Sequence, residues 1–365
     1  MFSLKINFIC MHPNLSGAYK ATRLLAEALV RRGHRVQLVY LCDIAWPPLT
    51  QPRRVLRRLR DVWQAKRHMA HHFDSSTATL VPVHGSKITA SDAPDADASI
   101  AIMWETREFI ESWPKSKGVK AFLVQGDERL REEGDMSRID AVHCWPGLRL
   151  AVSSAVQLML KERFSIEDAV LMPNGVEECL INAPARDRGN PPTVGLTYGR
   201  SELKGAAVAF EAIRLAQQKV PNLRTIAFGA RPVHWQHQPP EPFEFHLAPR
   251  QETLPATYRR ADCWLLPSTS EGFGMPGLEA AASRCPVIAT RCGGPADYIR
   301  DGVSGYMVDI GDAANMGRRL VDILTCDAER WKSMSAASHE IASQFTWDRS
   351  ACILEQAIQR ATDGE

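Results

Sequence analysis

The sequence predicts an α/β protein made of two doubly wound parallel sheets in tandem. Its 365 residues exceed the roughly 100–200 of one domain. Short, almost continuously apolar runs alternate with helical stretches, which is how strands buried on both faces of a parallel sheet read. That alternation occurs twice, on either side of a polar, proline-bearing stretch at 182–193.

The first set opens with an apolar run at 4–9, a Pro/Gly loop, a helical stretch at 18–32, Gly33 and a second apolar run at 36–41. This is a βαβ opening. Further strands are expected at 99–104, 119–125, 141–145, 150–153 and 170–172. Pro173-Asn174-Gly175-Val176 then interrupts the pattern as a turn signal. The boundary belongs here, giving a first domain over 1–175, a second over 176–345 and a C-terminal helix over 346–365. Strands of the second set are expected at 194–199, 224–229, 243–248, 263–267, 286–290 and 305–309. No repeat of 20–50 residues is visible, which excludes solenoids and propellers. Open parallel sheets bind ligands at the carboxyl ends of their strands, so the site is expected in a cleft where the two sheets face each other.

With 45% hydrophobic and 24% charged residues the chain is neither disordered nor collagen-like. No apolar run approaches the ~18 residues of a membrane span, and Lys5 interrupts the start where a secretory signal would be apolar. A cytoplasmic protein is expected. Nine cysteines form no C-x-x-C pair, and Cys10, Cys144, Cys263 and Cys285 lie in or beside apolar segments, so they read as reduced, mostly buried thiols. The net charge is +2, with 24 basic against 19 acidic residues up to Gly175 and 20 against 23 beyond it. The halves therefore carry +5 and −3, too modest an offset for a nucleic-acid-binding protein.

The densest chemical signal is Ser268-Thr-Ser-Glu271-Gly-Phe-Gly-Met-Pro-Gly-Leu-Glu279, directly after the strand at 263–267. Glycines at 272, 274 and 277 allow close backbone approach, and Pro276 suits a first helical turn. Free N–H groups and the dipole at such a helix start favour an anion, most naturally a phosphate. Glu271 and Glu279 would repel a bare phosphate, so either they accept hydrogen bonds from hydroxyls, which sugars and riboses supply, or they are solvated or cap the helix. Upstream, the strand at 194–199 ends in Arg200-Ser-Glu-Leu-Lys204-Gly205. This is either a solvated basic turn or a guanidinium fork and a movable ammonium that together neutralise a diphosphate without metal. Cys292-Gly293-Gly294-Pro295-Ala-Asp297 makes a third glycine turn, expected to open a helix, at the same sheet edge.

These residues resemble the retaining nucleotide-sugar glycosyltransferases of the GT-B fold, the group that includes sucrose synthases and bacterial mannosyl- and glucosyltransferases. The likeness rests on Glu-x7-Glu at Glu271 and Glu279, on Pro-Asn-Gly-Val at 173–176, on Gly199-Arg200 with Lys204-Gly205, and on GGPADYIRDGVSGYMV at 293–308. Ser16-Gly17 and Gly33-His34 also fit, although Ser16 stands where a double glycine is usual. The resemblance implies that Glu271 contacts the donor sugar, helped by backbone amides near Phe273, Gly274 and Met275. It further implies that Glu279 holds the ribose with Leu278 beside it, that Arg200 and Lys204 take the diphosphate, that Ala248–Arg250 frames the base, and that Gly17 approaches the phosphates.

The family's first-domain histidine is missing after 119–124, where Gln125-Gly126-Asp127-Glu128 stands. Asp127 either orients the acceptor hydroxyl or caps the next helix; His12 is a weaker candidate for the same role. The implied reaction moves a hexose-type sugar from a nucleoside diphosphate to a hydroxyl acceptor with retention, in polysaccharide, glycolipid or glycoside synthesis of bacterial type. The acceptor is a sugar, a lipid-linked sugar or a small molecule. The nucleotide sugar is a co-substrate; no cofactor, metal or nucleic acid is expected. The alternatives are a nucleotide-sugar epimerase or phosphorylase on the same fold, or a non-catalytic protein that binds sugar nucleotides or a lipid surface.

Other signals weigh less. Asp95-Ala96-Asp97 spells D-x-D but precedes a strand, and reads as a solvated turn. Residues 53–72 form a basic amphipathic stretch, read as a surface helix or as a peripheral contact with the inner membrane face. His68, His71, His72, His234 and His237 lack ligand spacing for zinc.

Overall fold

The computed structural model describes residues 3–42, 71–130 and 135–363. They divide into two compact units, one of residues 1–152, 157–172 and 347–365, the other of residues 153–156 and 173–346. The basic stretch at 53–72 lies outside the described residues up to residue 70, and with it the membrane contact expected of it. Among the described residues no helix is long and apolar enough to cross a membrane.

The first unit holds seven strands: β1 (Lys5–Cys10), β2 (Arg35–Leu41), β3 (Thr79–Val83), β4 (Ala98–Ala101), β5 (Val119–Val124), β6 (Leu148–Ala151) and β7 (Val170–Leu171). They lie in the order β3-β2-β1-β4-β5-β6-β7, and every pairing is parallel. Ile6, Phe8, Ile9 and Cys10 of β1 are wholly buried, as a strand with neighbours on both sides and layers on both faces must be. The helix Trp347–Asp363 belongs to this unit and packs on Gly17–Arg31. At that contact Glu355 accepts hydrogen bonds from both Arg32 (2.8 Å to Nη2) and His34 (2.8 Å to Nε2), and the Arg32 bond above all holds its carboxyl below the usual range.

The second unit holds β8 (Thr193–Thr197), β9 (Arg224–Gly229), β10 (Phe243–Leu247), β11 (Cys263–Leu266), β12 (Val287–Thr290) and β13 (Gly305–Val308). Their order is β10-β9-β8-β11-β12-β13, again all parallel. In register Trp264 sits beside Gly195, and a Cβ on Gly195 would lie 2.2 Å from the Trp264 ring, so the indole lies across β8 only because glycine is there. Phe210, Ile213, Leu320, Ile323 and Trp331 build the core on one face of this sheet. The two doubly wound sheets are those the alternating pattern predicts.

Local assignments differ in four places. Residues 141–145, expected as a strand, close the helix Met136–Cys144, because Asp135 caps its first turn by accepting from the Ser137 and Arg138 N–H groups. A five-residue apolar run does not distinguish the two states, and the cap decides. Cys144, expected to be buried, is exposed at the end of that helix; Cys10, Cys263 and Cys285 are buried thiols. Strand β3 was not expected: Pro82 breaks its pattern, and its place at the sheet edge accommodates a residue with no N–H. Finally, 294–297 is a 3-10 turn rather than the start of a helix.

His143 on the helix Met136–Cys144 stacks between Phe122 (5.2 Å between centroids) and Phe164 (4.6 Å), and is 2% exposed. Burial holds its pKa down to about 4 from an ordinary 6.5. The unfolded chain therefore takes up a proton near pH 6.5 that the folded chain refuses until about pH 4. Stability is full above pH 6.5 and falls below it, by up to about 3 kcal/mol at pH 4. Urea unfolding of the wild type against His143→Phe should show this decline flattened in the variant; parallel pH profiles would contradict it.

Candidate active site

In the second unit the strand order reverses between β8 and β11, which are hydrogen-bonded neighbours. Beyond the carboxyl ends of such a pair the connecting loops run in opposite directions and leave a crevice, the usual ligand position in an open α/β sheet. The loop after β8 carries Gly199, Arg200 and Lys204; the loop after β11 carries Ser268 and Glu271. Topology alone thus brings together two stretches some seventy positions apart.

Side chains complete the meeting. Lys204 Nζ lies 2.7 Å from Glu271 Oε1, and the Ser268 hydroxyl donates to the same oxygen, also at 2.7 Å. The Glu271 side chain is 11% exposed, whereas that of Lys204 is 44% exposed, so the ammonium bridges the carboxylate and solvent. Lys204 reaches this place by lying across Gly199, where a Cβ would come within 2.6 Å of its Cγ. Gly205 turns the chain in the left-handed region (φ 62°) with no room for a side chain against the Pro267 carbonyl. The backbone of Glu271 is pinned as well: its N–H donates to Cys292 O (2.8 Å) and its carbonyl accepts from Gly294 N (3.2 Å). A Cβ on Gly294 would fall 2.4 Å from both Gly272 O and Phe273 Cα, so the third glycine turn is where two backbones touch. Thr290 donates its hydroxyl to the Ser268 carbonyl, fixing the loop from β12.

Gly274, at φ 82°, redirects the chain into the helix Met275–Ala282, with Pro276 in its first turn. The Tyr298 hydroxyl donates to the Gly274 carbonyl at 2.8 Å and occupies the notch over Gly277, where a Cβ would be 2.4 Å from it. Because the carbonyl and the next N–H of a trans peptide point in opposite directions, this bond also sets the direction of the Met275 N–H. Phe273, Met275 and Leu278 are buried. Glu279 is buried too, and its Oε2 accepts from the Tyr258 hydroxyl at 2.7 Å. Neither tyrosine stands out in the sequence. Nothing in their spacing marks them, since 258 and 298 become neighbours of the Glu271–Glu279 stretch only through the fold.

The remaining candidates are placed as follows. Arg200 is exposed, and its Nε donates to Pro232 O (3.0 Å), on the same loop as Lys204 but not in the Lys204–Glu271 pair. Ala248 follows β10 at φ 42°, held by its N–H on Gly229 O, and with Pro249, Arg250 and Thr257 it lines a groove of about 660 Å³. Gly17 and Asp127 belong to the first unit. Gly17 opens the helix Gly17–Arg31. Asp127 accepts from the Arg129 N–H (3.1 Å) and the Arg163 guanidinium (2.6 Å), so it caps the turn that follows it. Asp97 accepts from the Lys5 N–H and Asp95 pairs with Lys117, both at the amino ends of their strands. His237 bonds the Tyr198 hydroxyl. Among the described residues no group of three His, Cys, Asp or Glu side chains is arranged to hold a metal ion.

Residues 185–340 match the family described as glycosyl transferases group 1. Curated relatives include the D-inositol 3-phosphate glycosyltransferase of Corynebacterium kroppenstedtii, 35% identical over 48% of this chain and 43% of that protein. The protein of the same name from Mycolicibacterium vanbaalenii is 29% identical over 82% of this chain and 64% of its own length. The chain thus spans less than two thirds of the length of these relatives. Among solved structures, Anabaena HepE in complex with UDP-glucose superposes with a TM-score of 0.72 at 15% identity, covering 99% of this chain and 100% of that one. Sucrose-phosphate synthase from Thermosynechococcus elongatus gives 0.69 at 16% identity, again over 99% and 100%. The fold is GT-B.

The backbone contact at Gly294 makes a direct prediction. Gly294→Ala should cost about 1–3 kcal/mol, as overpacking does, whereas Gly311→Ala, at φ 82° with nothing within 4 Å, should cost only its backbone strain of about 1 kcal/mol. Denaturant unfolding of both variants checks this; equal costs would mean the 271–273 backbone yields freely.

Proposed function

From a chain whose residues 185–340 match the glycosyl transferases group 1, we infer an enzyme that moves a hexose-type sugar from a nucleoside diphosphate to a hydroxyl acceptor with retention of configuration. The observation that supports it is the convergence of Lys204 and Glu271, 2.7 Å apart, over the switch point of the second sheet. A cation for phosphate stands beside a carboxylate for sugar hydroxyls, on loops whose glycines let the chain pack closely enough to bring the two together.

In this reading Lys204 and Arg200 bind the diphosphate, Glu271 accepts from donor-sugar hydroxyls, and the amides near Phe273, Gly274 and Met275 face the same ligand. Glu279 with Leu278 takes the ribose, and Ala248–Arg250 frames the base. The first unit, with Gly17 and Asp127, takes the acceptor. The bond between the anomeric carbon and the diphosphate oxygen breaks, and the acceptor oxygen attacks that carbon from the same face. The acceptor's proton passes to the leaving diphosphate, whose growing charge the two cations stabilise. Two carboxylates already engaged in holding the donor are poorly suited to the acid and nucleophile roles of a glycosidase.

Thermal unfolding in the presence of UDP-, ADP- and GDP-sugars should show stabilisation by one base class, as for any ligand that binds only the folded state. Incubating that donor with an acceptor panel that includes D-inositol 3-phosphate should then yield a glycoside. An altered sugar formed from donor alone would instead indicate an epimerase, and binding without turnover a non-catalytic protein. Glu271→Ala should reduce turnover by orders of magnitude with the fold intact. Lys204→Ala should weaken nucleoside diphosphate binding by roughly ten- to a hundredfold, the loss of a charged hydrogen bond worth about 1.5–3 kcal/mol. Because the two cations are assigned the leaving group's charge, EDTA should leave the rate unchanged; a rate restored only by added divalent ion would overturn that assignment.

A further inference from the structure

We propose that Tyr258 is a positioning residue for the nucleotide's ribose: it holds the Glu279 carboxylate through a buried hydrogen bond and so makes the site selective for ribo- over 2′-deoxyribonucleotides. The inference rests on the donor reading above and adds to it a residue outside the Glu271–Glu279 stretch.

Glu279 is the one acid on a helix whose neighbouring residues Leu278, Ala280, Ala281 and Ala282 are all buried. Burying a carboxylate in such a place is costly unless its oxygens are bonded, and a core in need of packing alone would be served by an apolar residue there. The Tyr258 hydroxyl meets Glu279 Oε2 at 2.7 Å from the helix Leu254–Arg260. Its own ring is immobilised: Trp264 lies 4.6 Å away between centroids and Phe228 5.7 Å away, nearly perpendicular. Tyr258 is fully buried, and burial together with the nearby Glu279 charge pushes the phenol well above its ordinary range, so the hydroxyl stays protonated and donates.

The carboxylate therefore takes its orientation from the aromatic core beneath β8, β9 and β11 rather than from solvent. A carboxylate fixed in this way is suited to reading a hydroxyl. Sites built to bond a hydroxyl reject the analogue that lacks it, because a buried acceptor is then left without its donor. A carboxylate free to turn makes the same bond with less selectivity.

The test compares binding of UDP, ADP and GDP with their 2′-deoxy forms by calorimetry, in the wild type and in Tyr258→Phe, which keeps the ring and removes only the hydroxyl. The wild type should favour its best ribonucleotide at least tenfold over the deoxy form, and Tyr258→Phe should reduce that ratio to about threefold or less with the melting temperature within a few degrees. A wild-type ratio retained in Tyr258→Phe overturns the role of Tyr258 and leaves the donor reading standing. Equal binding of ribo and deoxy forms by the wild type overturns the ribose assignment. Failure of all three diphosphates to bind overturns the donor reading and this inference with it. Should Tyr258→Phe not fold, Glu279→Gln carries the comparison: the amide oxygen can still accept from Tyr258 but is a weaker acceptor, so a reduced ratio supports the pair and an unchanged one refutes it.

Discussion

The Glu271 carboxylate, caught between the Lys204 ammonium and the Ser268 hydroxyl, is the contact around which the candidate site is arranged. With one partner 44% exposed and the other 11%, the pair is neither a solvated surface bridge nor a dry buried one, so its net worth to stability is small. Its value lies in placement. In the proposed function a diphosphate at this edge would compete for the same ammonium, leaving Glu271 anchored by Ser268 and free to accept from the sugar.

Holding that carboxylate requires unusual closeness of backbone. Gly199 yields to the Lys204 stem, Gly205 to the Pro267 carbonyl, and Gly294 to the 272–273 peptide. Two buried tyrosines then act from below: Tyr298 on the Gly274 carbonyl and Tyr258 on Glu279. The loop is therefore shaped from three sides, by glycines where chains touch and by phenols where a polar group needs a fixed direction. The proposed reaction would draw on such preorganisation, since dipoles set in advance cost nothing to reorient.

The first unit shows the same economy at its amino-terminal edge. Asp97 and Asp95, read as a solvated turn in one dimension, bond the Lys5 amide and the Lys117 ammonium. Glu355, from the last helix, gathers Arg32 and His34. These carboxylates tie segments together far along the chain from the glycine loops of the second unit.

Alternating apolar runs determined both sheets, because a strand buried on two faces needs little beyond continuous hydrophobicity and a turn at each end. Glycine clusters after strands likewise marked the loops at 199–205, 268–274 and 293–294, since local backbone geometry demands glycine wherever the chain is read. What one dimension leaves undecided is whatever depends on a distant partner. The run at 141–145 became a helix because Asp135 capped it, Pro82 was tolerated because β3 fell at the edge, and Asp127 turned to Arg163. Tyr258 and Tyr298 acquired their places only when the parallel order of β8, β11 and β12 brought them under the Glu271–Glu279 stretch. Periodicity and turn chemistry are local and legible, whereas a hydrogen bond across twenty or more residues exists only once the fold has closed the distance.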